Sequence, residues 1–244
     1  MKKNLRKDNF VTDCKWLYSK SLSHRGLFDN VSVYENTINS YKASLDKKMA
    51  IELDVQLTND HEVICMHDTN LKRFFNRTRD VNDITYKRLN KLRDDLQVPL
   101  LKDVLKLIDG KVGVMVELKH VNSKFDKILV KKVSELLKEY KGNYVVVSFN
   151  PFMLRKYRKL DKDAYIGRIF TSNGVKGFNK FVTTSKILDL IAKPDFISCD
   201  VNGYDSKRLE AYKQKGYKII GWPIKDKSLE KNLKKHFDSF IIEY

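Results

Sequence analysis

With 244 residues, 42% of them hydrophobic and 32% charged, and only ten glycines and four prolines, the chain is built to bury a sizeable core, which excludes a disordered or fibrous polymer. Forty-eight lysines and arginines against 31 acids give a net charge of +17, which invites an anionic partner such as nucleic acid, an anionic membrane surface or a phosphate-bearing substrate. The cations are scattered at helical spacings such as Lys131-Lys132, Lys156 with Lys159, and Lys231 with Lys234-Lys235, the pattern of a solvated surface more than of a dedicated polyanion site, and no nucleic-acid motif accompanies them.

In chain order, Met1 to Asp8 is basic but has no apolar run behind it, so it does not read as a secretory signal. Strand-length apolar runs then alternate with helical patterns. Strands are predicted over Ser21–His24, Ala50–Val55, Val112–Leu118, Tyr144–Phe149, Ala164–Ile169, Phe196–Asp200, Lys218–Trp222 and Phe240–Glu243. Helices are predicted over Glu35–Leu45, Leu100–Ile108, Lys124–Tyr140, Pro151–Leu160, Ser206–Lys215 and Lys227–His236. Two segments fall outside the repeat. Glu62–His67 reads as a hairpin-like return that carries His67 over the strand ends, followed by a loop-and-helix insertion over 69–98; Thr171–Thr184 reads as a mobile rim loop.

This alternation implies an α/β fold with a parallel sheet, and eight units in this length favour a closed (β/α)8 TIM barrel in one domain spanning 1–244. An open doubly wound sheet is disfavoured because no Gly-rich turn follows the first strand. No stretch reaches the roughly 18 apolar residues that span a bilayer, so any contact with an anionic membrane would be peripheral. Cys14, Cys65 and Cys199 are odd in number and lack CxxC spacing, which argues for reduced thiols in a cytoplasmic protein; Cys65 and Cys199, in apolar runs, read as small buried hydrophobes.

The chemistry-bearing residues gather at predicted strand ends, where barrel enzymes place their sites. Glu52 and Asp54 alternate on one strand and so share a face, and Glu117 ends a neighbouring strand; three carboxylates suit a hard cation such as Mg²⁺, Ca²⁺ or Mn²⁺. His24, in Ser23-His24-Arg25-Gly26, and His67, in His67-Asp68, are imidazoles with charged neighbours, able to act as base or acid near neutrality. His61, His120 and His236 lack such surroundings and read as structural or solvent-facing. Arg25 has the fork geometry of a phosphate ligand, and Lys119 is either a second phosphate contact or a salt-bridge partner of Glu117. Glu35, with Asn36 and Thr37, opens a predicted helix: it either belongs to a capping segment or orients His24 or the cation ligands.

His24-Arg25-Gly26, Glu35-Asn36-Thr37, Glu52-Leu53-Asp54-Val55 and His67-Asp68, continued by Pro99-Leu100, Glu117-Leu118-Lys119, Ser148-Phe149 and Trp222, resemble in order and spacing the glycerophosphodiester phosphodiesterase family. The resemblance is dense in the first half and sparse in the second. It implies a (β/α)8 barrel; His24 and His67 as the catalytic pair; Glu52, Asp54 and Glu117 as ligands of one divalent cation; and Arg25 with Lys119 as phosphate contacts. The implied reaction releases glycerol 3-phosphate and an alcohol from a small glycerophosphodiester. Two departures stand out. Where family members carry Trp-Thr and then Asn, this chain has Trp222-Pro223-Ile224, so Trp222 either packs on substrate or is a core aromatic; and the usual Asp-Gly-Ile-Ile-Thr-Asp ending is replaced by Asp238-Ser239-Phe240-Ile241-Ile242-Glu243. Two other readings compete: a phospholipase D-like enzyme acting on lysophospholipid or sphingolipid headgroups, and a non-catalytic barrel that binds polyanions in a salt-sensitive way.

Overall fold

The computed structural model describes residues 5–171, 185 and 187–244. Nine strands form one sheet: β1 (Leu22–His24), β2 (Ile51–Leu57), β3 (Val63–Cys65), β4 (Val114–Leu118), β5 (Tyr144–Ser148), β6 (Ile166–Phe170), β7 (Phe196–Asp200), β8 (Ile219–Ile224) and β9 (Ser239–Ile242). Eight of them run parallel, and β1 pairs with both β9 and β2, which closes the barrel anticipated from the alternation. The strands are mostly apolar because both faces are buried, and the polar residues that interrupt them are buried as well.

Inward side chains Leu22, Met115, Val145, Val147, Ile169, Phe196, Ile220 and Ile241 fill the barrel. The outward ones pack under the helices, with Val114, Val116, Val146 and Ile166 against α6 (Leu101–Ile108), α7 (Ser123–Glu139) and α8 (Pro151–Leu160). Ile197, Cys199, Ile219 and Ile242 meet α10 (Ser206–Gln214) and α11 (Lys227–Leu233) in the same way. Several helices start where an Asn or Asp side chain caps free N–H groups: Asn122 for α7, Asn150 for α8, Asp205 for α10 and Asp226 for α11. A short α9 (Asp189–Ala192) precedes β7.

Two helices that the sequence pattern did not announce, α1 (Leu5–Asp13) and α2 (Lys15–Ser19), precede β1. Their Phe10, Cys14 and Leu17 join the interior cluster and plug the barrel at its N-terminal end. The third helix, α3 (Ile38–Asp46), begins three residues later than expected. Thr37 caps it, exchanging hydrogen bonds with Ser40, and Asn36 takes a left-handed φ of 54°, so Glu35 and Asn36 belong to the preceding loop.

The Glu62–His67 segment returns as expected. β3 pairs antiparallel with the end of β2 in the register Val55↔Cys65, and the Met66 N–H donates to Asp54 O at 3.1 Å, which sets His67 beside the ends of β1 and β2. The insertion after it carries α4 (Lys72–Phe75), a 3-10 turn (Val81–Asp83) and α5 (Tyr86–Leu89), packed on its own core of Leu71, Phe75, Val81, Ile84, Leu89 and Leu96. The expected rim loop at Thr171–Thr184 lies, beyond Thr171, outside the described residues. No helix among the described residues is long and apolar enough to cross a membrane.

Candidate functional site

At the C-terminal end of the barrel, Glu52, Asp54 and Glu117 are buried, and each offers a carboxylate oxygen within 4.8 Å of the others. Strand geometry explains the convergence: Glu52 and Asp54 alternate on β2, and Asp54 registers with Glu117 across the β2–β4 ladder. Three buried acids with two nearby cations are an unbalanced set. Lys119 Nζ lies 2.8 Å from Glu117 Oε1 and 3.3 Å from Asp54 Oδ1, and Arg25 Nε lies 3.3 Å from Asp54 Oδ2. Glu52 accepts the backbone N–H of Arg25 at 3.1 Å, and no Lys or Arg side chain among the described residues is paired with it. Burial, together with Asp54 and Glu117, therefore pushes the Glu52 carboxyl well above its usual range. Burial also works to raise Asp54, but Lys119 and Arg25 outweigh it and hold Asp54 well below that range. Asp54 Oδ1 is buried and, among the described residues, has the Lys119 ion pair but accepts no hydrogen bond. A divalent cation fits this donor set: all three ligands are hard carboxylate oxygens that converge on one point, and the crowding of three buried acids that raises Glu52 is what a bound cation would relieve.

His24 ends β1 and is buried, with Nδ1 2.5 Å from Glu243 Oε1 and Nε2 3.9 Å from Glu52 Oε2. Burial lowers its pKa, partly opposed by Glu243. His67, one residue after the Met66 N–H that bonds Asp54 O, is more open and lies close enough to act on Asp54, with Nδ1 2.8 Å from Asp68 Oδ1; Gln56 Nε2 donates to the carbonyls of Met66 and Asp68 and pins that turn. The two imidazoles thus flank the acid cluster, each backed by a carboxylate.

Arg25 follows His24 with φ 57°, a strained conformation for a residue with a side chain, and Gly26 follows at φ 80°. A Cβ on Gly26 would come within 2.5 Å of Ser40 Oγ, so only glycine lets the loop turn this close to α3. The turn aims Arg25 into the site, where Nη1 donates to Glu35 Oε1 at 2.7 Å.

Glu35 does not orient His24, as one reading of the sequence expected. Its carboxylate instead accepts from Arg25, Asn30 and Arg73, because the loop before α3 turns it toward the insertion. The residue that reaches a candidate cation ligand from this loop is Asn36, whose Nδ2 donates to Asp54 Oδ2 at 2.9 Å while Tyr41 Oη donates to its Oδ1 at 2.9 Å. The imidazole partner is Glu243, which the sequence showed only as a departure at the end of the last strand.

The opposite wall is aromatic. Trp222 packs edge-on to Phe149, ring centroids 5.8 Å apart, and its buried Nε1 has no hydrogen-bond partner among the described residues. His120 is half exposed and bonded to Asp126, and Cys14, Cys65 and Cys199 are buried.

Comparison with known proteins agrees with this geometry. The model of the glycerophosphoryl diester phosphodiesterase family matches residues 24–237. A glycerophosphodiester phosphodiesterase of Caldanaerobacter subterraneus subsp. tengcongensis is 26% identical over 91% of this chain and 93% of its own length. A lysophospholipase D of Mus musculus is 31% identical over 53% of this chain and 44% of its own. Among solved structures, a phosphodiesterase of Oleispira antarctica, in complex with the product sn-glycerol-3-phosphate, superposes with a TM-score of 0.78 at 20% identity, covering 92% of this chain and 93% of that one. A glycerophosphodiester phosphodiesterase of Thermotoga maritima gives 0.70 at 23%, covering 91% and 93%. The match over most of the chain, running from His24 at the end of β1 to Phe237 before β9, establishes that this chain belongs to the glycerophosphoryl diester phosphodiesterase family.

Proposed function

We propose that the chain hydrolyses glycerophosphodiesters to sn-glycerol 3-phosphate and an alcohol, with one divalent cation held by Glu52, Asp54 and Glu117 and with His24 and His67 moving the protons. The observation that carries this reading is the cluster of three buried carboxylates flanked by two imidazoles and two fixed cations at one barrel mouth. The family, and the product held by the Oleispira antarctica relative, support the substrate class.

Arg25 and Lys119 place two positive side chains beside the acid cluster, where a phosphoryl group bridging toward His24 and His67 would meet them; their charge opposes the negative charge that grows on the phosphoryl oxygens. One imidazole takes the proton of the attacking group, the glycerol 2-hydroxyl or a water, and the other gives a proton to the departing alkoxide; where the 2-hydroxyl attacks, a water then opens the cyclic phosphate to glycerol 3-phosphate. Both imidazoles have Nδ1 on a carboxylate, so Nε2 of each is the atom left to exchange protons with substrate. A bound Mg²⁺, Ca²⁺ or Mn²⁺ supplies positive charge that acidifies a nearby hydroxyl and offsets phosphoryl charge. Trp222 and Phe149 give the alcohol an apolar wall.

The test is glycerol 3-phosphate release from a panel of glycerophosphodiesters with each cation and with chelator, for the intact protein, His24→Ala and Glu52→Ala. Cation-dependent release that drops roughly 10²–10⁴-fold in His24→Ala supports the reading. Release that survives chelator and both substitutions sinks it. A second reading draws on the lysophospholipase D relative: release of headgroup from lysophospholipids, with none from free glycerophosphodiesters, would favour that one.

A further inference from the structure

We propose that Arg73, supplied by the insertion, is a positioning residue that fixes the His67 imidazole and the Arg25 guanidinium relative to each other over the carboxylate cluster. The inference rests on the roles just given to those two side chains. Arg73 makes two forked contacts at once. Toward β1, its Nη1 and Nη2 donate to Glu35 Oε2 and Oε1, each at 2.7 Å. Toward β3, its Nε and Nη2 donate to Asp68 Oδ2 and Oδ1 at 2.7 and 2.9 Å. Each carboxylate passes the constraint on: Glu35 Oε1 takes Arg25 Nη1 at 2.7 Å, and Asp68 Oδ1 meets His67 Nδ1 at 2.8 Å. One guanidinium therefore ties together the chain segments that follow two different strands.

The local fold serves this placement. Leu71 and Phe75, on either side of Arg73 in sequence, are buried in the core of the insertion, and Asn76 closes α4 in the left-handed conformation. The face of the guanidinium lies 4.1 Å from the centroid of the Phe74 ring. The insertion is thereby a brace for the site. Only a planar fork with five donors can satisfy both carboxylates; a lysine in its place keeps the charge but cannot form two bidentate pairs.

Misplacing a catalytic group by about 1 Å costs on the order of 10²-fold in rate. Arg73→Ala and Arg73→Lys are both expected to lower kcat by roughly 10–100-fold on that account, while Mn²⁺ affinity by calorimetry stays that of the parent, because no candidate cation ligand touches Arg73. Added guanidinium should restore part of the rate of Arg73→Ala, ammonium should not, and neither should raise the parent. In ¹⁵N spectra of histidine-labelled protein, the parent should show His67 held with the proton on Nδ1, and Arg73→Ala should show it averaging between tautomers. Full kcat in Arg73→Lys, or equal rescue by ammonium and guanidinium, overturns the proposal in favour of a bulk charge effect. An unchanged kcat with a lower melting temperature overturns it in favour of a purely structural role. Should Arg73→Ala not fold, Arg73→Lys and Glu35→Gln, each losing one fork or more, decide the same question. Should the parent itself show no hydrolysis, the functional reading fails, while the His67 tautomer in parent and variant still tests the brace.

Discussion

Nδ1 of His24 lies 2.5 Å from Oε1 of Glu243, so the first and last parallel strands of the barrel meet at an imidazole. Glu243 is ionised near neutrality, its pKa held down against burial by the bond to His24, and an ionised carboxylate can only accept. Nδ1 therefore carries the hydrogen, and Nε2 turns its lone pair toward the acid cluster. Glu243→Ala leaves the ring free to flip and to adopt the other tautomer. Steady-state kinetics should show kcat reduced about 10²–10⁴-fold, the range for a disturbed acid–base group, with circular dichroism unchanged. Full activity in that variant would remove Glu243 from the site.

Charge crowding at the acid cluster gives a thermal-shift prediction. Glu52 is buried beside Asp54 and Glu117, so without a cation the three carboxylates oppose one another. Mg²⁺ or Mn²⁺ at about 100 times its Kd should stabilise the parent by about 2.7 kcal/mol. In a chain of this size that is roughly 5–10 °C in melting temperature. Glu52→Gln should melt no lower than the cation-free parent, since it removes the crowded charge, and should show no cation-induced shift. A shift of the same size in both proteins would place the cation elsewhere.

Much of this architecture is legible in the sequence because burial on both faces writes each barrel strand as an apolar run, and the chemistry interrupts that run at its C-terminal end. Glu52 and Asp54 stand out for that reason, as polar residues where packing alone would put Val or Ile. Phe196–Asp200 and Pro151–Leu160 fall where the pattern places them. What escaped depends on contacts between distant segments. Glu243 is 219 positions from His24, and nothing local marks it as the partner of an imidazole. Arg73 follows Lys72 with nothing local to set it apart from the other cations; its pairs with Glu35 and Asp68 exist only once α4 folds against the loop that holds Glu35. The sequence pattern starts α3 at Glu35 because Glu35-Asn36 suits a helix N-terminus in composition, while in the structure Thr37 and Ser40 form the capping box.

Glu35 carries a pH dependence whose sign follows from its partners. Burial works to raise its carboxyl, but the hydrogen bonds and charges of Arg73 and Arg25 bring it down from an ordinary 4.5 to about 2. A depressed carboxyl pKa contributes stability that is fully present above the ordinary value and is lost as pH falls through the folded one. For Glu35 that window runs from about 4.5 down to about 2 and amounts to roughly 3 kcal/mol. Urea unfolding of the parent and Glu35→Gln at successive pH values should show a constant stability difference above pH 5 that closes between those limits. A difference independent of pH down to 2 would mean that Glu35 keeps an ordinary pKa and that the two arginines contribute little to it.

Asn36 offers the cleanest separation of cation binding from proton transfer. It touches neither imidazole; its amide bridges Tyr41 Oη and Asp54 Oδ2 and so sets the direction in which Asp54 presents its other oxygen. Outer partners of this kind typically set cation affinity by 10–100-fold. Asn36→Ala should therefore weaken Mg²⁺ or Mn²⁺ binding by about that factor while leaving kcat at saturating cation near the parent value. Asn36 also holds a left-handed backbone, φ 54°, which alanine adopts at some cost, so the variant should melt slightly lower as well. Asn36→Gly removes the amide without that backbone strain, and a matching loss of affinity in both variants assigns the effect to the hydrogen bond. Affinity retained in the glycine variant would assign it to the turn instead.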